Sequence, residues 1–279
     1  NITRISWHPS SNSFIFDQVL LKNRYREVSD IWSFDLVRGK AEQLTKDARA
    51  REPAYAPDGS KIAFTQIVPG RTDLSVFNVD TKEIKRVFEA PPQGRVSFPV
   101  WLDTSTLLFS LRSEGREQVL KLNIDTGVSE KVLDEWKDPQ FLTVLGDRVL
   151  FTSSQNGVRN LYRTDRDFKN GRPVTHVVSH ILGSTYDRWL DRYYYTEITE
   201  EAYQLKTVTE AEAQTLPAAL PVVGNFWGDR YAPYTLPFSS GKAVGVEGDA
   251  VAAPAKLGAG EALKEAHKID NQSGEATHV

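Results

Sequence analysis

Apolar and polar residues alternate over short runs along this chain, and the runs stop at clusters of Pro, Asp, Asn and Gly. In "EPAYAPDGSKIAFTQ", residues 52–66, Pro53 to Tyr55 read as a short extended segment. Ala56 to Gly59 carry turn chemistry, and Ile62 and Phe64 fall two apart, as on one face of a pleated strand. The arrangement recurs. "ISWHPSSNSFIFDQ" (5–18) has Trp7, Pro9 and Phe16 where the first stretch has Tyr55, Pro57 and Phe64. "PVWLDTSTLLFS" (99–110) supplies Trp101 and Phe109, "FLTVLGDRVLFTS" (141–153) Leu142 and Phe151, and "STYDRWLDRYYYTE" (184–197) Tyr186 and Tyr195. The leading anchors lie 48, 46, 41 and 44 residues apart.

A second landmark keeps the same period. The segments 30–45, 73–87, 118–133, 160–177 and 201–216 start 43, 45, 42 and 41 residues apart. In most of them an alternating strand ends in a polar turn and a second strand returns. The turns hold Asp35 to Gly39, Asp80-Thr81-Lys82, Asp125-Thr126-Gly127 and Asn170-Gly171. Each unit therefore holds about four short strands in roughly 40 to 45 residues, the mark of a propeller blade. One blade cannot bury both faces of its small sheet, whereas blades packed face to face can. The anchor Trp, Tyr and Phe side chains are expected to form the core between blades. The expectation is an all-β fold, a β-propeller of four-stranded antiparallel blades with five repeat units. Nothing in the pattern marks where the ring closes, so total blade number and a truncated ring stay open.

The unit P-x-(W/Y)-x-P-D-G-x-x-I-A-F, followed by I-x-x-x-(D/N), a turn and L-T, resembles the WD40-like (PD40-type) repeat of TolB-type propellers. It is clearest at "REPAYAPDGSKIAFTQ" and "DIWSFDLVRGKAEQLT", and the resemblance covers about residues 2–216. Copies three to five depart from it: Leu102-Asp103 replaces the second Pro turn, and copies four and five have no Pro-Asp-Gly. The repeat is shared by TolB, by propeller domains of prolyl-oligopeptidase-like peptidases and by many envelope proteins. The resemblance implies a bacterial envelope location, periplasmic or otherwise exported, and a protein partner. It also admits a gating or substrate-selecting propeller of a larger peptidase.

Residues 217–279 break the period and are expected to form a C-terminal extension outside a 1–216 propeller. Its first part, to Gly241, is rich in Pro, Gly and aromatics and reads as an irregular strap. Phe226, Trp227, Tyr231 and Tyr234 are expected to dock it on the propeller. The rest is rich in Ala, Gly, Glu and Lys, with a short helix expected at 260–269 and a mobile end.

Composition narrows the chemistry. Hydrophobic residues are 40% and charged residues 25% of the 279, enough for a sizeable core. A net charge of −3 leaves no overall electrostatic footprint for nucleic acid or for an anionic membrane. Cysteine is absent, which excludes disulfides, thiol catalysis and Cys-ligated metals. Methionine is absent too, and nothing in the pattern explains it. No apolar run approaches a membrane span. No signal peptide heads the chain, which starts at Asn1 and reads as a processed form or an excised fragment.

The candidate sites are sparse. "HVVSH" (176–180) lacks the Glu of a zinc-protease helix, and on a strand its rings would stand about 13 Å apart. "DRDFKNG" (165–171) reads as a hairpin tip rather than a calcium loop. No nucleophile elbow, P-loop or dinucleotide fingerprint is present, so no cofactor or metal is expected. Glu52, Asp103, Asp138 and Asp187 lie near the inner strands but too irregularly to nominate a glycosidase dyad. More suggestive is the set Arg4, Arg49, Arg51 and Arg95, which enters the inner strands against Glu52 and Asp138. Its bland reading is a solvated turn surface. Its functional reading is a basic rim that receives an acidic protein or peptide.

Overall fold

A computed structural model describes residues 4–22, 25–199 and 202–222. The chain divides into two units, 1–231 and 232–279, and every described residue belongs to the first. The expectations for Phe226, Trp227, Tyr231, Tyr234 and the helix at 260–269 lie outside the described residues.

Turn chemistry cuts the described chain into five meanders. The first is β1 (Ile5–Trp7), β2 (Ser13–Lys22), β3 (Arg26–Asp35) and β4 (Lys40–Gln43). The second is β5 (Ala50–Tyr55), β6 (Lys61–Val68), β7 (Arg71–Asn78) and β8 (Ile84–Phe88). The third is β9 (Arg95–Trp101), β10 (Thr106–Ser113), β11 (Arg116–Asn123) and β12 (Ser129–Val132). The fourth is β13 (Gln140–Leu145), β14 (Arg148–Ser153), β15 (Asn160–Asp165) and β16 (Arg172–Pro173). The fifth is β17 (His180–Asp187), β18 (Arg192–Ile198) and β19 (Tyr203–Thr209), followed by α1 (Glu210–Gln214). Pairing within each meander is antiparallel, and one parallel bridge, Thr72 to Arg95, touches the second blade to the third.

The outer turns are shaped by one side chain each. Asp35 Oδ1 accepts the N–H groups of Val37 and Arg38, Asn78 Oδ1 those of Asp80 and Thr81, and Asn123 Oδ1 those of Asp125 and Thr126. A second recurrent side chain locks the third strands of blades 1, 2 and 4 to the link that follows. Asp30 accepts from the Ala48 N–H at 2.9 Å and the Thr45 hydroxyl at 3.0 Å. Asp73 accepts from the Ala90 N–H at 3.0 Å, and Asn160 from the Val177 N–H at 2.7 Å. Asp30, Asp73 and Asn160 are wholly buried, so these bonds are what makes their burial tolerable.

The alternation of the second strands sends neighbouring residues to different cores. Ile62 and Phe64 face the first blade, and Ala63 faces the third. Leu107 and Phe109 face the second blade, while Leu108 faces the fourth. Val149 and Phe151 face the third blade, and Leu150 faces the fifth. Blades 2, 3 and 4 are thus buried on both faces, and four cores join five blades. Among the described residues no core joins blade 5 back to blade 1.

That open side explains where the anchor positions diverge. Trp101 is 5% exposed and Leu142 2%, as expected of core anchors, but Trp7 is 61% exposed because, among the described residues, blade 1 has a neighbour on one face alone. Trp7, Phe14 and Phe34 instead form a cross-strand aromatic ladder, with centroids 5.4 and 5.5 Å apart.

Blade 5 also differs from the expected four strands. Thr209 caps α1 in a reciprocal box with Glu212, so the chain turns into a helix where the fourth strand was expected. Glu210 then reaches Arg148 at 2.7 Å, Arg163 at 2.5 Å and the Tyr193 hydroxyl at 2.5 Å, fixing α1 to blades 4 and 5. Beyond it, Leu220 enters the core between blades 3 and 4, and the Pro221 carbonyl accepts from Asn156 Nδ2 at 3.4 Å.

Urea denaturation of Trp101→Ala should show a loss of about 3–5 kcal/mol, the usual range for truncating a buried Trp. Trp7→Ala, at the same place in the repeat, should lose about 1 kcal/mol or less. Equal losses would contradict the open face.

Candidate binding channel

The inner strands are not regular. Pairing of β5 with β6 shifts between Arg51 and Ala54, that of β13 with β14 between Gln140 and Thr143, and that of β17 with β18 between Ile181 and Gly183. Pairing of β10 with β9 shifts likewise. Three non-glycine residues at these bulges are left-handed: Glu52, Phe98 and Phe141, with φ of +53°, +54° and +52°. Such backbone costs about 1–3 kcal/mol per residue and re-aims the side chain. Glu52 and Phe98 lie three residues before Tyr55 and Trp101, and Arg4 lies three before Trp7. Arg4, Glu52, Phe98, Phe141, Leu182 and Ser184 line one cavity of about 270 Å³ on the inner strands.

The polar groups there are held apart. Glu52 Oε2 accepts the Phe98 N–H at 2.7 Å, and Arg4 Nη1 donates to the Pro99 carbonyl at 2.7 Å. The Arg4 N–H donates to buried Asp17 at 3.0 Å. Burial pushes the Glu52 carboxyl above its usual range, against the Phe98 N–H and the charges of Arg4 and Arg95. Burial also lowers the Arg4 guanidinium, which Glu52 opposes. Phe98 and Phe141 pack at a tilt of 44° with centroids 4.4 Å apart, and Arg159 stands 5.9 Å over Phe141.

The four candidate arginines do not form one ring. Arg4 is inside the channel rather than at its rim. Arg95 is exposed at the start of β9, within electrostatic reach of Glu52. Arg51 is half-buried, and its Nε has no partner. Arg49 is exposed in the link to β5, with φ +52°. Asp138, also left-handed, accepts from the Ser154 hydroxyl at 2.9 Å. Beside it lies a group that pattern reading missed. Arg159 donates to Gln140 Oε1 at 2.6 Å, and burial raises the Glu117 carboxyl despite Arg112, Gln140 and Arg159. Glu52 and Phe98 had a usable signal: both stand three residues before an anchor and directly before a proline. Glu117 and Arg159 had none, since only folding brings them to Gln140.

His176 and His180 are exposed, in the link to β17 and at its start, and Asp165 to Gly171 join β15 to β16. Among the described residues no three His, Asp or Glu side chains converge as metal ligands.

No family model matches the chain. A protein TolB homolog of Chlorobium luteolum is 30% identical over 105 residues, a match covering 37% of this chain and 23% of that protein. The TolB structure from Acinetobacter baumannii superposes with a TM-score of 0.62 at 16% identity, over 75% of this chain and 52% of that one. A structure from a study of two prolyl endopeptidases superposes at 0.54 and 11% identity, over 75% of this chain and 35% of that one. The chain thus spans about half the length of the Acinetobacter protein. Its fold is that of a TolB-like β-propeller.

The Glu52 carboxyl makes a checkable pH signature. Its folded pKa lies above the unfolded value, so its contribution to stability is full below about pH 4.5 and lost as pH rises through the folded pKa. Glu52→Gln should therefore raise stability at pH 7 relative to the native chain, with the difference shrinking toward pH 4. A difference that stays constant across that range would contradict a buried, ionisable Glu52.

Proposed function

We propose that this chain is a non-enzymatic, TolB-like propeller of the bacterial envelope that binds an acidic protein or peptide where the links enter the inner strands. The observation that supports it most is charge at that mouth. Arg49, Arg51 and Arg95 make no ion pair among the described residues. A guanidinium left free can take a carboxylate bidentately, giving orientation as well as attraction. Arg4 serves as a fixed channel group, because its side chain is already bonded to Pro99. The likeness to TolB supports an exported, periplasmic location. Among the described residues no helix is long and apolar enough to cross a membrane, which says nothing of β-barrel spans. We take 1–216 as the propeller and 217–279 as an extension whose start is anchored in it, a reading supported by the burial of Leu220 between blades 3 and 4.

A second reading is the substrate-selecting propeller of a larger peptidase, which the superposition on the prolyl endopeptidase structure favours. Sequencing the surrounding gene separates the two: an adjoining hydrolase domain supports the second.

The binding reading is tested with a fluorescent Glu-rich dodecapeptide and with envelope extract. Arg49→Glu, Arg51→Glu and Arg95→Glu together should weaken capture at least about tenfold, and the loss should shrink at high salt. Single changes should be nearly silent, since exposed pairs contribute about 0–1 kcal/mol each. Unchanged capture by the triple variant would remove the mouth as the site.

A further inference from the structure

In each four-stranded meander the first and third turns lie at the end opposite the mouth. At the tips of the third turns, blades 2 and 3 carry the polar runs Asp80-Thr81-Lys82 and Asp125-Thr126-Gly127, with a single exposed Val128 behind the second. Blades 1 and 5 carry apolar tips at this end instead, blade 1 in its third turn and blade 5 in its first. The β3–β4 turn carries Leu36-Val37-Arg38, and the β17–β18 turn carries Arg188-Trp189-Leu190. Val37 is 78% exposed, Trp189 81% and Leu190 63%.

The two tips share one end of the molecule. The Leu36 N–H donates to the Asn12 carbonyl, in the first turn of blade 1. Trp7, His8 and Pro9, leading into that turn, face Asp187, Arg188 and Trp189 across a cleft of about 1030 Å³. The two apolar hairpin tips thus lie at the same end, and exposed Trp7 lines the cleft beside the blade 5 tip.

We propose that this end is a lipid contact, in which Val37, Trp189 and Leu190 enter the headgroup layer of a bilayer while Arg188 and Arg192 meet lipid phosphates. Shape favours a soft surface over a protein pocket, because the apolar groups are convex tips rather than a groove. Chemistry favours it too. Indole rings and arginines with apolar stems suit the boundary between headgroup and acyl chain. Most nearby carboxylates are engaged within the protein: Asp35 also pairs with Arg38 at 3.7 Å, while exposed Asp147 lines the same cleft. Asp35 accepts from Val37 and Arg38 N–H, Asp187 from Trp189 and Leu190 N–H, Asp191 from the Tyr186 hydroxyl, and Glu212 from Thr209. Arg188 lies 4.2 Å over the Trp189 ring, an arrangement that keeps the charge beside the indole. The inference does not depend on the channel or its partner.

The test is co-sedimentation of the 279-residue chain with vesicles of phosphatidylethanolamine and phosphatidylglycerol. The native chain should sediment with them. Trp189→Asp with Leu190→Asp should reduce binding about tenfold or more, and adding Val37→Asp should abolish it. Because these side chains are exposed, the variants should keep the native thermal midpoint. Leu21→Asp with Tyr25→Asp, an exposed apolar pair near the β2–β3 turn, serves as the control and should bind as the native chain does. A native chain that stays in the supernatant, or tip variants that sediment like it, overturns the proposal. If vesicles are ignored while the tip variants lose capture of an envelope protein, the surface is a protein contact instead.

Discussion

A sheet that is apolar on both faces must be covered on both faces, and this one requirement organises the described chain. Leu107, Leu108 and Phe109 show it in three consecutive residues, two facing one neighbour and one facing the other. The burial is hydrophobic and non-directional, so it does not by itself set where one blade meets the next. Direction comes from buried polar side chains. Asp30, Asp73 and Asn160 each hold the link that leads into the following blade, and so fix where the next inner strand begins. Packing gives the cohesion, and these bonds give the geometry.

The channel is a by-product of the same arrangement. Inner strands carry the residues that point away from both cores, and the bulges turn Glu52, Phe98 and Phe141 onto the channel side. Left-handed backbone at two phenylalanines is unfavourable, and the flanking pairs to β10 and β14 hold it in place. Glu52 and Phe98 are joined by a hydrogen bond, so the second and third blades are coupled through the channel as well as through their core. A partner that entered the channel would therefore meet side chains already positioned, with little ordering left to do.

Much of the fold was legible in the sequence because turn residues and two-residue alternation report local structure directly. The hairpins at Asp58, Asn78 and Asn123 fall where the Pro, Asp and Gly clusters put them. The missing fourth strand of blade 5 was also legible, in the spacing of Thr209 and Glu212, but an expected strand pair obscured it. Exposure of Trp7 was not legible, because no residue of blade 1 records whether a neighbour covers it. The position of Arg4 was half legible. Its place in the repeat follows from Trp7, but whether it points to the rim or into the channel depends on strands about 50 and 95 residues away. Glu117, Arg159 and Gln140 meet by folding alone.

The central claim is that stability follows the number of covered faces. Peptide-resolved amide hydrogen exchange tests it most directly. The middle strands of blades 2, 3 and 4, which include Phe64, Phe109 and Phe151, should exchange most slowly and together, through global unfolding. The strands of blade 1 and β19 should exchange faster, through local opening at the uncovered faces. Uniform protection across all five blades, or slowest exchange in β2 and β3, would contradict the account.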